Sequence, residues 1–326
     1  MTTLHAHFDR ILTPAESGYL REALMPDIQV TEGPQPPDDT DILIAGRPTR
    51  EQLAASPHLR ALIVPFAGVS NHIISLTRDF PHVSVHNMHH NAVPVAETAV
   101  MLLLAASKFA VHYDHALRSS DWHPQYARDT PAVLLHGKTA LILGYGAIGR
   151  HVAGVCRALG MTVLATRRRL TAPVMEDGVE IFPADALPDL LPRSNAVIVC
   201  LPQTPETTGL LGAAELAKLP ERSVLVNIGR GRVVDESALY NALLNGPLCA
   251  AGIDVWYNYA ADETGGVAWP PSAYPFHELD NVIMSPHRAD ATDDTPRLLM
   301  TMVAGMLNDA AAGRIMANTV DMRAGY

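Results

Sequence analysis

Cysteine is scarce in this sequence. Only three of its 326 residues are cysteines, Cys156, Cys200 and Cys249, and each lies in an apolar segment. Their spacing matches no metal-ligand motif. An odd number of buried cysteines also argues against a disulfide framework of the kind found in small secreted domains. We therefore expect a protein of the reducing cytoplasm.

Positive charge and long apolar runs are lacking as well. The formal net charge is −10, which argues against a protein that binds nucleic acid through phosphate contacts. The most apolar stretch, residues 95–106, carries Glu97 and is too short to span a bilayer. The first residues lack the basic start and apolar core of a signal peptide. We expect neither nucleic acid nor a membrane as a partner.

Residues 139–165 contain the most informative pattern that is present. An apolar run is followed at once by the motif G-Y-G-A-I-G, then by apolar residues at helical spacing up to Gly160, then by a second apolar run. This order predicts strand, glycine turn, helix and strand, which is the context that G-x-G-x-x-G needs in order to bind a dinucleotide pyrophosphate. The candidate pyrophosphate-binding residues are Gly144, Gly146, Ala147, Ile148 and Gly149.

The end of the second predicted strand bears on the choice of nicotinamide cofactor. NAD-binding units usually place an acid there for the ribose 2′-hydroxyl, and this sequence has none. Thr166, Arg167 and Arg168 stand there instead, followed by Arg169. Guanidinium groups bind a 2′-phosphate through charged hydrogen bonds, although solvated arginines at a strand end are also common. We expect a preference for NADP(H), with NAD(H) use left open.

The residues before the glycine motif also alternate short apolar runs with helical stretches. Runs at residues 4–8, 42–45, 61–64 and 83–85 predict strands, and such alternation is typical of a parallel sheet. Helices are predicted over residues 95–110 and 294–312. Residues 112–136 show little periodicity, and we expect an extended arm there that packs on a second subunit.

Several further segments resemble one family. In order along the chain they read V-P-F-A-G-V at 64–69, P-V-A-E at 94–97, L-P-Q-T-P-E-T at 201–207, V-N-I-G-R-G at 226–231, G-I-D-V-W at 252–256 and N-V-I-M-S-P-H at 281–287. Together with the glycine motif they resemble the D-isomer-specific 2-hydroxyacid dehydrogenases, and the resemblance covers nearly the whole chain.

The resemblance implies an α/β fold with two doubly wound parallel-sheet domains. A Rossmann dinucleotide-binding domain, residues 108–289, would be inserted in a flavodoxin-like substrate-binding domain, residues 1–107 and 290–326. It also implies an active site between the domains, hydride transfer between a nicotinamide and C2 of a small 2-oxo or 2-hydroxy acid, and a homodimer.

Three polar residues would carry the chemistry. His287 would be the general acid in reduction and the base in the reverse direction, because imidazole titrates in the right range. Arg230 would hold the substrate carboxylate in its planar fork, and Asp254 would accept from the nicotinamide carboxamide or order its pocket. All three follow apolar runs, so we expect them at the carboxyl edge of the sheet.

Other residues are expected to line the same two ligands. Backbone amides in a glycine turn suit a carboxylate, although an ordinary turn is equally compatible with the sequence. The candidates for that turn are Ala67, Gly68 and Val69, and Phe66 is a further candidate substrate contact. The further cofactor contacts implied by the resemblance, besides Arg230, Asp254 and His287, are Leu201, Pro202, Thr207, Ile228 and Gly229.

One position departs from the family pattern. The family usually places a glutamate five residues after the aspartate of the D-V-W segment, where it pairs with the catalytic histidine. Here that position is Tyr259. Asp262, Glu263 or Glu278 could reach His287 from a loop instead. Formate dehydrogenases of this broad family also lack that glutamate, since formate oxidation releases no hydroxyl proton to a base.

Three histidines follow the fourth apolar run, at His86, His89 and His90. They lack clear ligand spacing, so no metal site is expected, and we interpret them as lining the cleft between the domains. The leading hypothesis is therefore an NADP(H)-preferring reductase of glyoxylate, hydroxypyruvate or a similar acid. A formate- or phosphite-like dehydrogenase and a non-catalytic dinucleotide-sensing protein are the alternatives.

Overall fold

The computed structural model describes residues 3–126, 131–259 and 269–322, and the chain divides into two compact units. Unit 1 comprises Met1–Asn91 and Ala291–Tyr326, and unit 2 comprises Ala92–Asp290. The first boundary differs from the predicted one at residue 107. The helix Ala92–Ser107 belongs to unit 2 because it packs on that unit's central strands, where Leu102 lies against Gly252.

Unit 1 is built on five parallel strands with helices on both faces. The strands are β1 Leu4–Phe8, β2 Ile28–Glu32, β3 Ile42–Ile44, β4 Ala61–Ile63 and β5 Ser84–His86, in the order β2-β1-β3-β4-β5. The helices are α1 Pro14–Ala23, α2 Arg50–Ala54, α3 Asn71–Thr77 and α11 Thr295–Ala311. This is the flavodoxin-like order of a doubly wound sheet.

The continuous apolar strands of unit 1 follow from its two covered faces. Side chains alternate along a strand, so Ile42 and Ile44 pack on the face that α11 covers, whereas Leu43 packs on the opposite face with Leu53 of α2. A sheet buried on both sides has no polar face, which is why its strands show no alternation in the sequence.

Unit 2 has a longer sheet of eight strands. They are β6 Thr139–Leu143, β7 Thr162–Arg167, β8 Val174–Glu176, β9 Val179–Pro183, β10 Ala196–Val199, β11 Ser223–Asn227, β12 Leu248–Ile253 and β13 Val282–Met284. The order is β13-β12-β11-β10-β6-β7-β9-β8, parallel except for the β8–β9 pair. The winding reverses between β6 and β10, the position where open α/β sheets bind ligands.

The helices of unit 2 include two in the region predicted to be an extended arm. They are α4 Ala92–Ser107, α5 Ala110–Arg118, α6 His123–Tyr126, α7 Ala147–Ala158, α8 Leu187–Leu190, α9 Ala213–Leu216 and α10 Glu236–Asn245. The expectation of an extended arm over residues 112–136 was wrong for its first part, because α5 forms there with no buried residue to reveal it by periodicity. In the described part of the chain, no single helix is long and apolar enough to cross a membrane, although α4 and α5, bent by 62°, pass that test by length and composition as a pair.

Candidate functional site

The glycine motif forms the turn between β6 and α7. Gly144 has a φ of +99°, which side-chain-bearing residues rarely adopt, and a Cβ on Gly149 would overlap the carbonyl oxygen of Gly144. Gly146 is the N-cap of α7 and offers no side chain to its first amides. Nothing lies within 4 Å of a Cβ built on Gly146, so the space in front of the helix N-terminus is open. These features fit a dinucleotide pyrophosphate.

A charged cluster lies where β7 ends. The guanidinium of Arg167 donates two hydrogen bonds of 2.7 Å to the carboxylate of Glu176, and Arg150 donates a third of 2.9 Å to the same group. Both guanidinium groups also lie over the ring of Tyr145, at 4.8 Å for Arg150 and 5.5 Å for Arg167. The hydrogen bonds from Arg167, then those from Arg150, lower the pKa of Glu176 to about 2. Glu176 is thus ionised and shared between two arginines.

Sequence reasoning missed Glu176. It found no acid at the end of β7, but the antiparallel hairpin β8–β9 brings one back to that point. Thr166 is buried and accepts the amide of Tyr145 with its carbonyl, whereas Arg168 is exposed. Glu176 pairs with Val179 across the hairpin. In the sequence, an acid just before the turn of a hairpin that follows β7 is the only sign of this contact.

The loop after β10 approaches the turn after β11. Thr207 donates its hydroxyl to the carbonyl of Pro202 at 2.6 Å and accepts the amide of Thr204, which fixes the loop that Leu201 begins. A Cβ on Gly229 would overlap the backbone oxygen of Leu201. Only glycine therefore allows these two strand ends to lie so close, beside the buried Ile228.

Arg230 extends from a turn that Asn227 holds. The buried side chain of Asn227 accepts the amide of Gly229 at 3.1 Å and donates to the carbonyl of Arg230 at 3.1 Å. The guanidinium of Arg230 donates to the carbonyl of Gly229 at 2.7 Å, and within the described residues this is its only hydrogen bond. Most of its fork is therefore available to an anion. Sequence reasoning quoted Asn227 within a motif but gave it no role.

Asp254, at the end of β12, ties down the loop that carries His287. Its buried carboxylate accepts the hydroxyl of Ser285 at 2.5 Å and the amides of Arg288 at 3.1 Å and Ala289 at 3.2 Å. His287 lies inside this loop with a φ of +54°, a left-handed conformation that costs free energy in a residue with a side chain. Asp254 therefore holds the loop in which His287 lies.

His287 is exposed, and its pKa is lowered from the ordinary value. Removal of water by the surrounding protein is the largest cause and the positive charge of Arg230 the second, while Asp254 and Asp290 oppose them. Across the described residues, no carboxylate forms an ion pair with His287. Glu278 is exposed and lies 3.9 Å from the adjacent His277, and Asp262 and Glu263 lie outside the described residues.

Tyr259 contacts His287 with its ring. The two ring centroids are 5.3 Å apart and the planes are tilted by 53°. The tyrosine oxygen accepts the amide of Trp256 at 3.0 Å. Burial raises the pKa of Tyr259, so the hydroxyl stays neutral at physiological pH. An aromatic ring thus lies where a carboxylate would favour a charged imidazole.

The candidate carboxylate-binding turn lies in unit 1. Phe66 is half-exposed, and the turn is held by Asn87, whose side chain donates to the carbonyl of Ala67 at 2.7 Å, and by the amide of Met88, which donates to Phe66 at 3.1 Å. The amides of Ala67 and Gly68 form none of these bonds.

His86 ends β5, the strand that pairs with β4, and is committed to the structure of unit 1. Its ring bonds the carbonyl of Ala317 at 2.9 Å and the hydroxyl of Ser84 at 3.0 Å, and it is buried. Desolvation lowers the pKa of His86 and of His89. Over the described ranges, no group of three or more histidine, cysteine or acidic side chains could hold a metal ion.

Comparison with known proteins gives consistent matches. The profile described as D-isomer specific 2-hydroxyacid dehydrogenase, NAD binding domain, matches residues 100–289. The glyoxylate reductase of Aeropyrum pernix is 30% identical over 315 residues, 90% of each chain. The D-3-phosphoglycerate dehydrogenase of Archaeoglobus fulgidus is 31% identical over 274 residues, 83% of this chain and 49% of that one. The chain spans about half the length of such phosphoglycerate dehydrogenases.

A solved structure agrees over the full length. The D-isomer specific 2-hydroxyacid dehydrogenase of Xanthobacter autotrophicus, in complex with NADPH and MES, matches with a TM-score of 0.79 at 26% identity and covers 100% of both chains. The family profile spans more than half of the chain, and the Aeropyrum relative matches nine-tenths of it. On these matches, the chain belongs to the D-isomer specific 2-hydroxyacid dehydrogenase family.

Proposed function

We propose that this protein is an NADP(H)-preferring reductase of small 2-oxo acids such as glyoxylate or hydroxypyruvate. The observation that carries the proposal is that Arg230 and His287 lie near each other, after β11 and β13, the two strands on either side of β12. The guanidinium is close enough to lower the pKa of the imidazole, and its fork is largely without protein partners among the described residues. An anion-binding fork beside a proton donor is what reduction of a 2-oxo acid requires.

Each residue has a separate task in the proposed reaction. Arg230 binds the substrate carboxylate and draws electron density from the adjacent carbonyl. His287 gives its proton to the carbonyl oxygen as that oxygen gains negative charge, and takes it back in the reverse direction. Asp254 keeps the imidazole in place through the loop from Ser285 to Ala289. The reduced nicotinamide, when bound, supplies the hydride.

The preference for NADP(H) rests on the end of β7. The glycine turn and the N-terminus of α7 would hold the pyrophosphate, and Arg167 with Arg168 would hold the 2′-phosphate. The Xanthobacter relative contains NADPH, which supports the same assignment. The turn at Phe66, Ala67 and Gly68 stays a prediction for the substrate carboxylate.

A substrate panel tests the proposal. Initial rates are measured with NADPH and with NADH on glyoxylate, hydroxypyruvate and pyruvate, and the reverse reaction is measured on formate and phosphite with both oxidised cofactors. We expect reduction of at least one 2-oxo acid, faster with NADPH. Turnover of formate or phosphite alone would instead support the second candidate, which the contact of Tyr259 with His287 favours. Cofactor binding with no turnover would support a dinucleotide sensor.

We also propose a homodimer. Large apolar side chains of unit 2 are exposed in the segment that follows α5, with Trp122 at 61%, Tyr126 at 72% and Leu134 at 67%. Clustered exposed aromatic residues are typical of protein interfaces. Light scattering coupled to size-exclusion chromatography should give twice the 35.1 kDa chain mass, and a monomer mass at micromolar concentration would contradict the proposal.

A further inference from the structure

The hairpin β8–β9 holds Glu176 in a defined place. Its turn, Asp177 and Gly178, has φ values of +48° and +73°, as in the tight two-residue turns of hairpins. Arg157 of α7 donates a hydrogen bond to the carbonyl of Asp177, which fastens the turn to the helix. Glu176 therefore meets Arg167 because the backbone brings it there.

The fork of Arg167 is already used by an anion. Both of its terminal nitrogens donate to Glu176, in the paired arrangement that a phosphate would also adopt. The side chains of Arg167 and Glu176 are about one-third exposed, at 27% and 32%, so exchange of one anion for another does not require opening of the core. Arg150 binds the same carboxylate, so Glu176 retains one cationic partner if Arg167 turns to a phosphate.

We propose that Glu176 competes with the 2′-phosphate of NADP(H) for the guanidinium of Arg167 and thereby limits the preference for NADP(H) over NAD(H). The inference rests on the proposed function, since it takes Arg167 as the 2′-phosphate site. A 2′-phosphate must displace the carboxylate or share the arginine with it, and its own charge is repelled by that carboxylate. A 2′-hydroxyl carries no charge, so NAD(H) meets neither cost.

Two roles for Glu176, competing with the phosphate for Arg167 or holding Arg167 in place for it, predict opposite effects on phosphate binding. If Glu176 only held Arg167 ready, its loss would weaken phosphate binding. If it competes, Glu176→Gln should strengthen phosphate binding, because the amide keeps the size of the side chain but loses its charge. Because an exposed ion pair is weak even when it is bidentate, the gain should be about fivefold in Kd.

Isothermal titration calorimetry measures the Kd of each probe without turnover and so distinguishes the two roles of Glu176. The probes are adenosine 2′,5′-bisphosphate, which carries the 2′-phosphate, and adenosine 5′-monophosphate, which lacks it. For Glu176→Gln we expect the bisphosphate to bind about fivefold more tightly and the monophosphate to bind unchanged. Asp177→Asn is the matched control, since it removes the same charge one residue away and asparagine tolerates its positive φ.

Two further variants complete the experiment. Arg167→Ala should weaken bisphosphate binding, and adding Glu176→Gln to it should give a smaller gain than in the unmodified protein, because only the repulsion between carboxylate and phosphate is then removed. If Glu176→Gln does not fold, Glu176→Asp retracts the carboxylate and should give a smaller gain. Unchanged or weaker bisphosphate binding by Glu176→Gln would overturn the inference while the proposed function stands. Failure of the unmodified protein to bind either probe would overturn both.

Discussion

The two ends of the unit 2 sheet that we propose as ligand sites are built differently. At the β6–β7 end, residues 144–150 and 166–168, the proposed ligand groups are backbone amides and arginines from two segments of one strand–helix–strand unit. At the β11–β13 end, residues 227–230, 254–259 and 285–289, they are side chains from three segments far apart in sequence. The difference shows that the β6–β7 end can be predicted from a local sequence pattern, whereas the β11–β13 end depends on contacts that form only in the folded chain.

The two ends also differ in their charge. Glu176 is bound by both Arg150 and Arg167, so the β6–β7 end is partly neutralised before any ligand arrives. At the β11–β13 end the carboxylate of Asp254 is turned to the backbone, and Arg230 adds positive charge next to His287. The second end is therefore the better place for a small anionic substrate.

The largest expected effect concerns Arg230. Arg230→Ala should lower kcat/KM for the preferred 2-oxo acid about 100- to 1,000-fold, since it removes charge stabilisation in the transition state. The Kd for NADPH should stay nearly constant, because the proposal places most of the cofactor contacts at the β6–β7 end. Arg230→Lys should restore activity only in part, as a point charge cannot form the fork. A lysine variant with the original kinetics would count against the assignment.

The next largest effect is expected for Asp254→Asn, which should change both the free energy of unfolding and the pH dependence of the activity. Asp254→Asn leaves buried groups of the 285–289 loop poorly matched, and an unsatisfied buried group costs roughly 1–3 kcal/mol in the free energy of unfolding. Chemical denaturation measures that cost. Losing the Asp254 charge should also lower the pKa of His287 further, so the reductase activity should decline at a lower pH. Ser285→Ala, which breaks one bond of the three, is the graded control. A pH profile that does not move in Asp254→Asn would mean that the residue only supports the fold.

At the other end, Arg167→Asp combined with Arg168→Ala should raise the KM and the Kd for NADPH about tenfold. The values for NADH should change less, because NADH has no 2′-phosphate for the arginines to bind. Equal use of NADH and NADPH by the unmodified protein would contradict the assignment of this end.

The smallest expected effect concerns Tyr259 and is a shift in pH. In the proposed reaction, reduction needs protonated His287, whose pKa is lowered, so kcat/KM for reduction should fall as the pH rises past a value below histidine's ordinary 6.5. A carboxylate beside an imidazole favours its charged form and raises its pKa. Tyr259→Glu should therefore move the falling limb to higher pH. A limb that stays in place or moves down would indicate that another acid already pairs with His287.

Sequence patterns predicted the parts of unit 2 that are local and buried. The strand at residues 139–143, the glycine turn and α7 were predicted because hydrophobic spacing and glycine placement act over a few residues. The hairpin β8–β9 was missed because β8 is short and largely exposed, so it shows no alternation. Because the hairpin was not predicted, the contact of its Glu176 with Arg167 was not predicted either. The cofactor prediction therefore considered only the residues at the end of β7.

The other contacts that the sequence did not predict join residues far apart in the chain or depend on side-chain orientation. The carboxylate of Asp254 bonds residues more than thirty positions later, and no spacing rule predicts three bonds of that kind. Counting from Asp254 pointed to Tyr259, but the sequence could not choose between a hydroxyl bond and a ring contact. The structure has the ring against His287 and the hydroxyl on the amide of Trp256.

The most direct test of the proposed function follows the hydrogen itself. NADPH labelled with deuterium on either face of C4 is incubated with the protein and hydroxypyruvate, and the product is analysed by mass spectrometry and chiral chromatography. We predict that one of the two labelled faces delivers deuterium to C2 of D-glycerate, and that Arg230→Ala slows this transfer severely. Tight NADPH binding with no deuterium in the product, for hydroxypyruvate, glyoxylate and pyruvate alike, would contradict the proposed function.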